Sequence, residues 1–214
     1  MARMLRVRPT KIELVKLQRR LALSQRVHKI LKDRLAILTT EFIATARRAI
    51  TARERMAGSV GRATTAAGVA EGFHGRLQLE PALADSQGGA TVLAGTRNLA
   101  GTRVPQLHLV LPERRLPPYD LVQSSSMVDD AADAGREALP AIVVLAELDR
   151  TLELLGMEIQ RTKRISNALE YVVVPALERT IRALSMKFEE RDREEKARLK
   201  HIKVLRSPAT AASC

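Results

Sequence analysis

Metal ligation and proton transfer would fall first to the four histidines, His28, His74, His108 and His201, and these are scattered along the chain. No two share one turn of a helix and no thiolate stands beside them, so the spacing of a zinc or other metal site is missing. The phosphate cradle G-x-x-x-x-G-K-[ST] is also missing, and Gly88-Gly89 reads only as a turn. Carboxylates crowd at Glu189, Glu190, Asp192, Glu194 and Glu195, but Arg191, Arg193 and Lys196 alternate with them. Such a run pairs its charges along a solvated helix, at a few tenths of a kcal/mol per pair. No catalytic residue, cofactor site or metal site is therefore expected. Any part this chain plays in catalysis is expected to be mechanical.

The elements that would carry such a role follow from composition. The 214 residues include five aromatic side chains, Phe42, Phe73, Phe188, Tyr119 and Tyr171, and no Trp. A chain that draws its apolar area from Leu, Ile and Ala instead favours long paired helices over a compact globule. One cysteine, Cys214, allows no internal disulfide. The opening residues contain no apolar run of signal-peptide length, and no window reaches the ~20 apolar residues of a membrane span. Membrane association is expected to run through partners, with the chain on the cytoplasmic side.

The net charge of +12 is unevenly placed. Residues 1–60 hold 15 basic and 4 acidic side chains, 61–150 hold 8 and 11, and 151–214 hold 13 and 9, giving +11, −3 and +4. A basic first arm can attract an acidic protein surface, nucleic acid or an anionic membrane.

Pro9 biases Arg8 toward extended backbone, and Thr10 with Glu13 three residues on forms a capping box, which predicts a helix from Lys11. Spacings of three and four then alternate through Leu14, Leu17, Leu21, Ser24, His28, Leu31, Leu35, Leu38, Phe42, Thr45, Ala49, Ala52 and Met56. This is the seam of a left-handed coiled coil, and it requires a partner helix. Beyond Met56, Gly58, Gly61, Gly68, Gly72 and Gly75 predict a helical continuation to near Ala70 that is frayed or bent, each internal glycine costing about 1 kcal/mol relative to Ala. Residues 81–90 read as a loop. Short strands are expected at 91–94 and 104–111, around a turn at 98–101, with Pro105 confining its strand to an edge.

Pro117, Pro118 and Ser124 to Ser126 mark a linker, and Ser126 with Asp129 and Asp130 opens a second helix. Its stripe runs through Leu148, Leu152, Leu155, Ile159, Thr162, Leu169, Val172, Leu177, Ile181, Leu184 and Phe188, with a kink expected at Pro175 and an earlier bend at Pro140. The expected fold is mainly α, a long antiparallel coiled coil of N- and C-terminal helices with a small central region containing a β-hairpin. The expected divisions are a first shaft helix in 1–60, a central region in 61–125, a second shaft helix in 126–206 and a tail in 207–214.

Within the second helix, Thr162, Arg164, Asn167, Ala168, Leu169, Glu170, Val172 and Pro175, with a conservative Val174, resemble the signature of the central-shaft D subunits of archaeal and bacterial V-type ATP synthases. Ile165 and Ser166 depart from that signature, replacing a basic and an apolar residue. Three further segments are similar to the same family: 7–14 at the helix entry, 26–34 followed by Glu41-Phe42, and 98–105 in the expected hairpin. Arg198-Leu199-Lys200 and Ile202-Lys203 add to the resemblance. It implies a non-catalytic rotor axle that couples rotation to ATP synthesis or hydrolysis and to ion transport. The implied partners are the catalytic and regulatory ATPase subunits of a hexamer, a small central-stalk subunit and a membrane rotor adaptor subunit. No direct nucleic acid and no membrane insertion are implied. Lys32, Arg34, Arg164, Asn167, Glu170 and Pro175 become candidate shaft-contact or seam-setting residues. The alternative is a basic coiled-coil nucleic-acid-binding or adaptor protein. Its arginines and lysines could meet phosphates, yet five scattered aromatics offer no stacking platform.

Overall fold

The computed structural model describes residues 7–76, 90–112 and 125–206. The expected tail, most of the loop at 81–90 and most of the linker before Ser126 lie outside these residues. Helix α1 spans Lys11–His74, strands β1 and β2 span Thr91–Leu99 and Thr102–Val110, and helix α2 spans Ser126–Ala168. A π-helical turn, Leu169–Val173, follows, and helix α3 runs over Val174–Arg206. The chain divides into two compact units, one formed by residues up to Leu35 with those from Arg161 onward, the other by 36–160.

At the start of α1, the amide of Glu13 donates to Oγ1 of Thr10 at 3.3 Å, as a capping threonine should. The Glu13 carboxylate does not return the bond and instead pairs with Lys16 at 3.0 Å. Only half of the expected capping box forms.

All thirteen predicted seam positions of α1 are buried or half-buried. The same alternation continues through Ser59, Ala63, Ala66 and Ala70, all buried or half-buried. Helix α1 is therefore unbroken where fraying was expected. Gly58, Gly61, Gly68 and Gly72 all lie on its exposed side, where an added Cβ would meet nothing within 4 Å. Glycine lowers helix propensity there, but packing of the opposite, alanine-lined side offsets that cost.

In the first unit Leu17, Leu177 and Leu184 form a buried cluster, with Leu14, Leu21, Val173, Ile181 and Phe188 packed around it. Further along α1, His28 faces Ser166 and Glu170. Rising numbers on α1 thus meet falling numbers on the C-terminal helices, so the pairing is antiparallel. In the second unit Arg53 meets Asp149, Arg62 meets Glu137, and Ala70 packs with Val128 and Ala131, again antiparallel. Ser125 precedes the first residue of α2, and its hydroxyl lies 2.8 Å from Nε2 of His74, joining the end of α1 to the start of α2. The helix thus begins at Ser126, and the residue before it serves as the boundary.

Strands β1 and β2 form an antiparallel hairpin, longer than predicted, joined by Ala100-Gly101. Both joining residues have positive φ, 49° and 81°, as the tightest hairpin loop requires. The ladder alternates from the bonded pair Leu99 and Thr102, which makes Thr96 and Pro105 a non-bonded pair. Pro105 therefore sits where no ladder donor is needed. Leu107, two residues on, points its N–H outward from β2, and Oε2 of Glu147 on α2 accepts it at 2.9 Å. The other Glu147 oxygen stands 3.7 Å from Arg97. One carboxylate thus holds both strands, while Val104 is fully buried.

Candidate functional site

Pro175 organises the region of the candidate residues. It has no N–H to give to the carbonyl four residues back, and its ring crowds that carbonyl. The helix answers with the π turn Leu169–Val173, closed by the amide of Val174 donating to the carbonyl of Leu169. A π turn takes in one extra residue and rotates everything beyond it. The kink expected at Pro175 is thus a change of helix type just ahead of it.

The extra residue corrects the predicted stripe. Val172 was expected in the seam but is 56% exposed, whereas Val173 packs on the cluster of Leu17, Leu177 and Leu184. Ser166, Ala176 and Thr180 are also buried and were missed because small and hydroxylated side chains carry little hydropathy signal. Their spacing from Thr162 was the available signal. Thr180 satisfies its hydroxyl within the helix by donating to the carbonyl of Ala176 at 2.7 Å.

Glu170 lies within the π turn and reaches across the seam, its Oε2 3.7 Å from Nε2 of His28. Oγ of Ser166 lies 3.4 Å from the other ring nitrogen. Glu170 and the segment before Pro175 are thus brought against α1. Lys32, Arg164 and Asn167 are exposed, Arg34 and Pro175 half-buried. Arg164 and Asn167 present their polar groups to solvent on the outside of the helix pair.

The described residues offer little to small-molecule chemistry. No group of three or more His, Cys, Asp or Glu among them could hold a metal ion. None of the helices is long and apolar enough to cross a membrane, again among the described residues. What remains is a helix pair in each unit and a hairpin clamped to α2 by Glu147.

The sequence profile of the ATP synthase D-subunit family matches residues 13–204, which takes in both helical arms and the hairpin. The chain belongs to the ATP synthase D-subunit family. Its similarity to individual members is spread over nearly the whole length. The A-type ATP synthase D subunit of Pyrococcus furiosus is 35% identical over 209 residues, covering 96% of this chain and 97% of the relative. The D subunit of the Thermococcus kodakarensis A-type ATP synthase is 36% identical over 207 residues with the same coverage. That of Methanopyrus kandleri is 36% identical over 200 residues, 93% of this chain and 86% of the relative. Against this background, the candidate residues from Thr162 to Pro175 belong to a D subunit whose helix changes type at the signature itself.

Proposed function

We propose that this D subunit is the non-catalytic central-stalk rotor axle of a V-type, archaeal-type ATP synthase or ATPase, coupling rotation to ATP synthesis or hydrolysis and to ion translocation. The observation that carries the reading is the family match across 13–204, which spans both arms and the hairpin and not one motif alone. An axle has to resist bending and twisting, and two helices sharing a seam do this better than one. It must also turn without being trapped at one angle. The exposed lysines and arginines of the first arm suit this, because screened attraction to carboxylates steers assembly without a deep well at one orientation.

Its partners are the catalytic and regulatory ATPase subunits of the hexamer, the small central-stalk subunit and the membrane rotor adaptor subunit. The protein works on the cytoplasmic side, peripheral to the membrane. Lys32, Arg34, Arg164 and Asn167 are its candidate contacts, with Glu170 and Pro175 setting the seam. An asymmetric shaft presents a different face to each catalytic interface as it turns, so nucleotide affinity and angle are reciprocally coupled. Neither the fold nor the family match supports the basic nucleic-acid-binding alternative.

Native mass spectrometry of the chain co-expressed with the hexamer and small stalk subunits tests the reading. One copy per hexamer is the expected result. A stable self-dimer that ignores those subunits would overturn it.

A further inference from the structure

The helix pair of the second unit is fastened where α1 ends and α2 begins. Gly75, at φ 74°, stops α1 directly after His74, and its amide reaches back to the carbonyl of Glu71 at 2.9 Å. Ser125 stands at the opening of α2, where its carbonyl accepts from the amide of Val128 at 3.0 Å. Between these two helix ends, Nε2 of His74 lies 2.8 Å from Oγ of Ser125 and 3.3 Å from the backbone nitrogen of Ser125. Both residues are half-buried.

The Ser125 amide fixes the state of the ring. A backbone N–H only donates, so Nε2 of His74 has to accept from it. A ring nitrogen accepts only while it carries no proton. His74 is therefore neutral in this contact, with its one ring hydrogen on Nδ1, a tautomer assigned from the bond that Nε2 accepts. The Ser125 hydroxyl rotates to either role and does not bear on that assignment.

A proton on Nε2 would set one N–H against another. The hydroxyl can turn to accept from the charged ring, but the Ser125 amide loses its acceptor, the costly half of the exchange for a half-buried donor. The charged groups nearest the contact are Glu71 and Arg76 on the α1 side and Asp129 and Asp130 on α2. Among the described residues no carboxylate pairs with the neutral ring. Once charged, the ring is drawn by Glu71, Asp129, Asp130 and the last carbonyls of α1 toward acceptors other than Ser125. Apolar packing beside the contact is thin, consisting of Ala70, Val128 and Ala131 with Ala66, Ala67 and Met127 around them, so the polar fastening carries weight.

We propose that His74 and Ser125 form a proton-operated latch, in which the neutral imidazole fastens the start of α2 to the end of α1 and protonation releases it. Imidazole is the side chain that ordinarily changes charge within about pH 5–8, so the latch is closed on the alkaline side of that range and opens as the pH falls through it. The first unit responds with the opposite sign. There Nε2 of His28 faces a carboxylate, Oε2 of Glu170 at 3.7 Å, and a proton on the ring adds an ion pair. Acid thus loosens the junction of α1 and α2 while it tightens the level of His28. Both contacts lie within one chain, and the latch operates whether or not that chain is a rotor axle.

NMR of the 15N-labelled full-length chain at about pH 7.5 and about pH 5.5 tests the latch. At the higher pH the His74 ring should carry its hydrogen on Nδ1. Protection of the Ser125 amide against solvent exchange, taken relative to an unstructured amide at the same pH, should fall by about 10-fold at the lower pH. His74→Gln, which does not titrate, should show no such step, and His74→Ala, which has no acceptor, should leave Ser125 unprotected at both values. Unchanged protection of the fully buried Leu38 and Leu155 in every chain shows that the helix pair is folded. A hydrogen on Nε2 at the higher pH, equal Ser125 protection at both values in the parent, or the same step in His74→Gln would overturn the latch.

Discussion

Oγ of Ser166 and Nδ1 of His28 lie 3.4 Å apart, two polar side chains set against each other in a seam whose neighbouring α1 positions are Ser24 and Leu31. Their separation is at the outer limit of a hydrogen bond, so the contact contributes little. The pair places two polar groups where apolar packing would otherwise lie.

Replacing His28 by Leu should therefore stabilise the chain. A half-buried aliphatic side chain at this position gains about 1 kcal/mol of apolar burial, against the loss of one long hydrogen bond. The expected rise in Tm is about 2–4 °C for a chain of this size. A lower Tm in a thermal scan would mean that the His28 contacts to Ser166 and Glu170 outweigh apolar packing.

Pro175→Ala separates the cause of the π turn from what keeps it. Without proline, an uninterrupted α-helix becomes possible at residue 175, but adopting it would rotate Leu177, Ile181, Leu184 and Phe188 off Leu17. Each large apolar side chain is worth about 1.5–3 kcal/mol of burial, more than one irregular turn costs, so the π turn should persist. A disulfide between Leu17→Cys and Leu177→Cys, in a Cys214→Ser background, should form equally with and without the Pro175→Ala substitution. Loss of the crosslink in the alanine chain would show proline alone holding the phase.

Glu147→Ala should release the hairpin while the helix pair stays folded. It removes the acceptor of the Leu107 amide and the partner of Arg97, and a hydrogen bond to a charged group is worth about 1.5–3 kcal/mol. Hydrogen exchange at Leu107 should accelerate by about 10-fold or more at that cost, with helical amides unaffected. Protection unchanged at Leu107 would place the docking in Val104 instead.

The hairpin loop contains an alanine at φ 49°, a left-handed conformation that disfavours a side chain lacking local hydrogen bonds. Ala100→Asn produces the Asn-Gly pair suited to this loop and should strengthen the hairpin by about 0.5–1 kcal/mol. Slower exchange of the amides of Leu99 and Thr102 is the expected signal; faster exchange would count against a two-residue loop of this type.

Lys32→Glu with Arg164→Glu should leave stability within about 0.5 kcal/mol of the parent in a thermal scan, since both side chains are exposed. Assembly with the hexamer should weaken, most strongly at low salt. Full assembly at every ionic strength would remove these two residues from the shaft contacts.

Much of this protein is legible locally. The alternation of threes and fours from Leu14 to Met56 repeats over enough turns to define a helix and its buried side, and every one of those positions is at least half-buried. The stretch 98–101 between apolar runs was sufficient to place a hairpin turn, which the strand register narrows to Ala100-Gly101. The signature from Thr162 to Pro175 pointed to the family by itself. Other features depend on neighbours that no local pattern names. Helix α1 continues past its glycines because Ser59, Ala63, Ala66 and Ala70 have a surface to pack on, and small side chains leave almost no hydropathy trace. Val173 replaces Val172 in the seam because proline displaces one backbone hydrogen bond, and the cluster around Leu17 then selects which valine is buried. Glu147 becomes the hairpin's anchor only when β2's outward N–H arrives beside it. Period and turn chemistry are properties of neighbouring residues, so the sequence by itself determined the helices and the hairpin. Phase, pairing and docking depend on groups 40 or more residues away, and tertiary structure decided them.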